Sequence, residues 1–254
     1  MNAPLTAGEN NRAIYDEFWA ACSDFSRYNP GARHRRRILG EIVEKLGYKS
    51  VLDVGCGDGQ NLLFLRAHGG HGIDGTSFAG VDLSPKTVEE NAKKYPFAKF
   101  AALDIEHAAL PEQFDLVTCC EVIEHLDKPE DAVKNLARQV SPGGHLVLTC
   151  PTGKVHATEK HWGHVAHPQT ADLKRMFAET DLEIVSIKNW GFPFYVGLKY
   201  ATNVSAKWAV ENFGTGNYSP MAKAVSTALY FTNFLNFKSS PLGCEFFVLA
   251  RKRT

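Results

Sequence analysis

Two groups of residues in this chain have the types and spacing to do chemistry. The first is Val51-Leu52-Asp53-Val54-Gly55-Cys56-Gly57-Asp58-Gly59-Gln60-Asn61, where an apolar run breaks into alternating glycines. It is answered by Gly80-Val81-Asp82-Leu83-Ser84, where the next apolar run ends on an acid. Glycines at 55, 57 and 59 let the chain turn sharply and bring bare backbone against a ligand, where a β-carbon would collide. The N–H groups of a helix starting at Gln60 favour electron-rich ligand atoms. A carboxylate at the end of the following strand, Asp82, is placed to accept hydrogen bonds from both hydroxyls of a ribose. The pattern is G-x-G-x-G, with Gln60 where a dinucleotide fingerprint has its third glycine. The second group is Glu121-Val122-Ile123-Glu124-His125. If a helical turn begins near Glu121, then Glu121, Glu124 and His125 share one face. Two carboxylates and an imidazole suit Mg²⁺ or Mn²⁺ better than zinc. A later cluster, His156, His161, His164 and His167, would overhang the same crevice and close the coordination sphere.

The elements that position these residues read as alternating strands and helices. Val51–Val54 reads as a buried strand, Gln60–His68 as a helix, and a second strand ends at Asp82. Phe100–Ile105 reads as a third strand carrying Asp104, Phe114–Cys120 as a fourth, and His145–Thr149, after the turn Ser141-Pro142-Gly143-Gly144, as a fifth. Ligands of open α/β sheets sit outside the carboxyl ends of the strands, where both groups fall. Upstream, a polar tail leads into an aromatic helix, Ile14 to Phe25, with Tyr15, Phe18, Trp19 and Phe25; it reads either as a helix packed on the domain or as a lid over the ligand. The run Arg33-His34-Arg35-Arg36-Arg37 opens a helix reaching Leu46, and is either a solvated face or an anchor for a substrate carboxylate or phosphate. Aromatic segments Trp190–Tyr195 and Tyr230–Phe237 interrupt the expected final hairpin, whose last strand is Gly243–Arg251. This insertion reads as a helical cap, an apolar acceptor pocket or a dimer contact; membrane contact is disfavoured by the few basic residues in it.

The glycine turn with Asp53 before it, together with Gly80-Val81-Asp82-Leu83-Ser84, resembles motifs I and II of class I S-adenosylmethionine-dependent methyltransferases. The resemblance continues through the third and fourth strands and the Ser141-Pro142-Gly143-Gly144 turn, covering about residues 35 to 190. It implies an α/β fold, a Rossmann-like seven-stranded sheet whose last strand is antiparallel, with an N-terminal helical lid and a C-terminal inserted cap. The implied organisation is tail and lid at 1–35, cofactor-binding core at 36–190, cap at 191–240, and a final strand at 241–254. It implies S-adenosylmethionine as cofactor, held by Asp53, Gly55, Cys56, Gly57, Gly59, Asn61, Asp82, Leu83 and Glu121, with Asp104 on the adenine amino group and Ile105 packed on the purine. Glu-x-x-Glu-His followed by a later histidine resembles the metal site of the small-RNA 3′-end 2′-O-methyltransferases and of the ubiquinone-pathway O-methyltransferases. Carried over, that gives Glu121, Glu124 and His125 as ligands, with His167 or His164 as the fourth. The same motif also occurs in related methyltransferases without a metal, where both acids border the cofactor and His125 is a polar wall or a base. His125, His164 and His167 are the candidate bases, since an imidazole titrating near neutral pH suits removal of a hydroxyl proton.

Composition bounds the rest. The 254 residues carry 28 basic and 28 acidic side chains, so no global field gathers nucleic acid. That neutrality and the aromatic cap weigh against an RNA-end 2′-O-methyltransferase and favour a small hydroxylated acceptor such as a catechol, a sugar or a natural-product intermediate. An N- or C-methyltransferase and a non-catalytic cofactor-binding subunit are the other readings. Six scattered cysteines without C-x-x-C spacing read as reduced core residues. No apolar run approaches a membrane span and the N-terminus lacks a signal core, so the expected location is the cytoplasm. A homodimer is a further expectation from the cap.

Overall fold

The structure is a computed structural model that describes residues 8, 11–12, 14–16, 18, 24–68, 75–213 and 217–254. Seven strands form one sheet: β1 (Ser50–Val54), β2 (Ser77–Asp82), β3 (Ala98–Ala102), β4 (Phe114–Cys120), β5 (Val140–Pro151), β6 (Leu182–Trp190) and β7 (Glu245–Lys252). Their order is β3-β2-β1-β4-β5-β7-β6. β1 to β5 pair in parallel, and β7 runs antiparallel between β5 and β6. The order reverses between β1 and β4, which opens a crevice at their carboxyl ends.

Side-chain alternation along each central strand feeds two cores. Leu52, Val117, Leu146 and Leu148 point to one face, and their neighbours Val51, Leu116 and Val147 to the other, as the two-residue period of a strand requires. Helices α5 (Pro129–Gln139) and α7 (Thr170–Ala178) cover the first face with Leu136, Leu173 and Phe177. Helices α2 (Pro30–Val43) and α3 (Gln60–His68) cover the second with Leu39, Val43, Leu62 and Leu65. Helix starts follow a cap-then-proline rule: Asn29 before Pro30 opens α2, Ser84 before Pro85 opens α4 (Pro85–Lys94), and Ser219 before Pro220 opens α10 (Pro220–Thr232). In each the cap side chain accepts a backbone N–H in the first turn, and proline occupies a position that needs no N–H. A short helix α1 (Phe25–Tyr28) precedes α2, and α6 (Ala157–His161) follows β5. Between β6 and β7 lie α8 (Phe194–Val204), α9 (Ala206–Phe213), α10 and a 3₁₀ turn, Asn233–Leu235.

Several boundaries differ from the sequence reading. The third strand ends at Ala102, paired with Asp82, because Asp104 turns the chain by accepting the Glu106 N–H at 3.0 Å. The arginine helix begins at Pro30 and ends at Val43, short of Leu46. Of the expected aromatic helix, residues 14–16 and 18 are helical, whereas Trp19 lies outside the described residues. Cys56, Cys119, Cys120, Cys150 and Cys244 are free and buried. Among the described residues, no helix is long and apolar enough to cross a membrane.

Candidate active site

The turn after β1 places Gly55, Gly57 and Gly59 at φ 68°, 49° and 77°, a left-handed region that side chains with a β-carbon rarely adopt. A β-carbon at Gly55 would also collide with Val122, at the turn after β4. Asp82 ends β2 and bonds back to this turn: its Oδ2 accepts the Gly57 N–H at 2.9 Å and its Oδ1 the Ser84 N–H at 3.0 Å. Burial raises the Asp82 pKa above the usual carboxylate range, against the lowering effect of these hydrogen bonds.

These elements enclose a cavity of about 260 Å³. Of the expected cofactor residues, Gly55, Cys56, Gly57, Asn61, Asp82, Leu83, Asp104, Ile105 and Glu121 line it. Asp53 and Gly59 do not. Asp53 is fully buried behind the turn, where Oδ1 accepts from Thr118 Oγ1 at 2.7 Å, and burial pushes its pKa up to about 7. It braces the turn from behind. Gly59 packs under the Tyr95 ring, which a β-carbon would meet at 2.5 Å. The remaining set suits S-adenosylmethionine: bare backbone along one wall, carboxylates at the ends of β2 and after β3, and Ile105 as an apolar surface.

The acids and histidines after β4 are arranged differently from the helical expectation. Glu121 adopts φ 59°, and only Ile123–His125 form a 3₁₀ turn, so Glu121 leaves the face shared by Glu124 and His125. Its Oε2 meets the Arg35 guanidinium at 2.8 Å and its Oε1 accepts from Thr149 Oγ1 at 3.0 Å; Arg35 also reaches Glu245 at 3.2 Å. Burial opposes ionisation of Glu121, but Arg35 holds its pKa below the usual range, whereas burial and the Glu121 charge drive Glu245 well above it. Arg35 thus sits between two carboxyl groups, nearer to Glu121.

Glu124 is 1% exposed, and neither of its carboxylate oxygens has a hydrogen-bond partner among the described residues. Burial and then the charge on Glu121 push its pKa well above the usual value. An unpartnered buried carboxyl is costly, and the groups nearest this one are imidazoles: Glu124, His125 and His164 bring one ligand atom each within 4.8 Å of one another. His164 and His167 form a second such set with Glu159, while Glu121 belongs to neither. His167 does not line the cavity; its Nε2 meets His164 Nδ1 at 2.9 Å. Of the residues expected from the sequence, Glu124, His125 and His164 lie together, whereas Glu121 turns to Arg35 and His167 sits with His164 and Glu159. Burial holds His125 down to about 4 and His164, with His125 and His167 beside it, to about 2. Both imidazoles are neutral at pH 7 and keep a lone pair for a cation or a proton. A carboxyl oxygen and two imidazole nitrogens form a donor set that suits a borderline divalent cation.

The N-terminal segment roofs the cavity. Asn11 Nδ2 donates to the His125 carbonyl at 2.8 Å, Tyr15 Oη lies 3.2 Å from His125 Nε2 and donates to the Trp162 carbonyl at 3.2 Å, and Ser84 Oγ donates to Asp16. Phe18 packs edge-on against Trp162. Burial, then the charges on Glu124 and Glu121, raise the Tyr15 pKa, so the phenol keeps its proton. Sequence spacing singled out Tyr15 as part of an aromatic helix but gave no sign that its hydroxyl meets His125. It likewise missed Glu245 and Trp162, which come from the far end of β7 and the loop after α6.

A Rossmann-like sheet with an antiparallel β7 and a glycine-turn cavity at the β1/β4 switch defines the fold of class I S-adenosylmethionine-dependent methyltransferases. Comparison with known proteins agrees: residues 32–187 match the methyltransferase-domain family, and the chain belongs to it. It is similar to the ubiquinone biosynthesis O-methyltransferase of Dechloromonas aromatica, 35% identical over 156 residues, which span 59% of this chain and 64% of that one. Its fold is similar to that of the N-methyltransferase NodS of Bradyrhizobium japonicum, solved with S-adenosyl-L-homocysteine, at TM-score 0.61 and 20% identity over 96% of this chain and 100% of that one. It is also similar to the [4+2]-cyclase SpnF, at TM-score 0.63 and 17% identity over 100% and 98%. Aligned stretches span from 37% to 64% of the curated relatives' lengths. One fold thus carries N-methyl transfer and cyclisation in its neighbours, so the chemistry must be argued from the site.

Proposed function

We propose that this protein transfers a methyl group from S-adenosylmethionine to a hydroxyl oxygen of a small acceptor, with a divalent cation held by Glu124, His125 and His164. One observation carries the reading: a fully buried carboxyl group with no hydrogen-bond partner among the described residues stands beside two neutral imidazoles, both of which line the cavity of the glycine turn. The sulfonium methyl is already electrophilic, so the protein's tasks are alignment and proton removal. Asp82, Leu83 and the glycine turn hold the nucleoside end, and Asp104 and Ile105 meet the base. A cation at the second group would bind neighbouring oxygens of the acceptor and lower the pKa of the attacking one.

The chain's own residues then complete the site. Tyr15 fixes the His125 ring through Nε2, which leaves its other nitrogen to the cation, and the acceptor proton, loosened by the cation, would leave to solvent as the acceptor binds. His167 orients His164 through its nitrogen. Arg35 keeps Glu121 charged at the cavity wall, where the carboxylate faces the cationic end of the cofactor. Trp162 and the N-terminal helix exclude water from above. Two features support a small acceptor over an RNA end: the roofed cavity and the chain's neutral overall charge. The relatives named for ubiquinone biosynthesis point towards an ortho-dihydroxyphenyl acceptor.

The test is transfer of a labelled methyl group from S-adenosylmethionine to a simple catechol, 3,4-dihydroxybenzoate, beside its monohydroxy analogue, before and after metal removal with a chelator. The expected result is an O-methylated catechol, lost on chelation and restored by Mg²⁺ or Mn²⁺. Equal transfer to both phenols without dependence on metal would leave His125 as base and remove the cation from the account.

A further inference from the structure

We propose that the face formed by α2, α10 and the 3₁₀ turn Asn233–Leu235 docks on an anionic lipid bilayer. Nearly all the exposed large apolar side chains among the described residues fall between Phe194 and Leu242; Leu63, Val165 and Val185 are the exceptions. At the end of α10 they form a continuous patch. Phe231 and Phe234 stack with ring centroids 6.4 Å apart and are 63% and 49% exposed, next to Leu235 at 64% and Phe237 at 57%. Burying so much apolar surface in a bilayer interface is favourable, roughly in proportion to its area.

Most of the charge needed at such an interface comes from outside the insertion, which is why the sequence of the insertion alone argued against membrane contact. Helix α2 packs against α10 and brings its arginines to the patch. Arg33 lies over the Tyr230 ring at 3.7 Å and Arg37 over Phe234 at 4.8 Å. A basin of about 560 Å³ beside them is lined by Arg27, Arg33, Arg36 and Arg37, four cations against the two acids Glu41 and Glu44. Among the described residues, Arg27 and Arg33 make no ion pair, and neither does Lys238, which follows Phe237. Residues 191–243 carry Lys199, Lys207, Lys223 and Lys238 against a single acid, Glu211. Unpaired guanidinium groups around exposed phenylalanines match lipid phosphates above an apolar layer.

The experiment is flotation of the full chain with vesicles of phosphatidylcholine alone, or with one third of it replaced by phosphatidylglycerol. Wild type is compared with Phe231→Ser/Leu235→Ser and with Arg33→Glu/Lys238→Glu. Affinity for S-adenosylhomocysteine serves as the check on folding, because none of these residues lines the cofactor cavity. The expected result is binding to the anionic vesicles that weakens with salt. It should fall by about tenfold or more in either double variant while cofactor affinity is unchanged. Wild type that stays unbound on both vesicles would overturn the proposal, as would double variants that bind like wild type. A dimer in sedimentation velocity that Phe231→Ser/Leu235→Ser converts to monomer would also overturn it, assigning the patch to a second copy.

Discussion

Replacing Asp82 by alanine tests the cofactor pocket most sharply, because the structure fixes what the carboxylate does before any ligand arrives. It sits 8% exposed at the end of β2 and accepts one N–H from Gly57 and one from Ser84, which aims its remaining lone pairs into the cavity. A ribose diol bound there gains two hydrogen bonds to an ionised acceptor. At about 1.5–3 kcal/mol for each bond to a charged group, less what water recovers in the vacated space, the loss is about 2–4 kcal/mol. That corresponds to an affinity roughly 30- to 700-fold weaker. Asp82→Asn keeps the shape and one acceptor, so its loss should be the smaller of the two. Isothermal calorimetry with S-adenosylhomocysteine reads both, with thermal unfolding as the check that the sheet persists. An Asp82→Ala variant that stays folded and binds within threefold of wild type would refute the assignment of this carboxylate to the ribose.

Other expectations follow from the same geometry. Tyr15→Phe removes the hydroxyl that meets His125 Nε2 at 3.2 Å, and should lower kcat by about ten- to a hundredfold with little change in S-adenosylhomocysteine affinity; unchanged kcat would make the roof a passive cover. Gly55→Ala places a β-carbon at φ 68° against Val122 and should cost about 1–3 kcal/mol of stability, read by chemical denaturation; an unchanged midpoint would show that the turn relaxes freely. His34 is buried, donates from Nε2 to the Tyr230 carbonyl at 2.7 Å, and is held down to about 4 chiefly by burial. The unfolded chain therefore binds this proton more readily, and stability is full above pH 6.5 and falls as pH is lowered towards 4. His34→Gln should flatten that part of the thermal-unfolding profile, and an unaltered profile would assign the dependence to the other buried histidines.

The sheet was legible because its central strands announce themselves. Phe114–Cys120 and Gln60–His68 stand where the apolar period and the glycine turn place them, since a strand buried on both faces reads as a continuous apolar run. Asp82 and the glycines were legible for a related reason, being backbone requirements written in residue type. The metal-type group was legible as composition but not as geometry. Helical spacing put Glu121 with Glu124 and His125, whereas a left-handed φ at a non-glycine residue turns it towards Arg35 and Glu245. No local pattern encodes that turn, because it depends on an arginine 86 residues upstream. The same holds for Tyr15 over His125, 110 residues apart. The charge of the exposed aromatic face was missed because most of its cations come from outside the insertion, Arg33 and Arg37 of α2 among them.

The account rests on Glu124, His125 and His164 acting together. The most direct measurement is a Mn²⁺ titration followed by electron paramagnetic resonance with S-adenosylhomocysteine bound, on wild type, Glu124→Gln and Glu121→Gln. One site per chain that is lost in Glu124→Gln and retained in Glu121→Gln is the predicted result. Absence of stoichiometric binding, or a site that survives Glu124→Gln and disappears in Glu121→Gln, would contradict it.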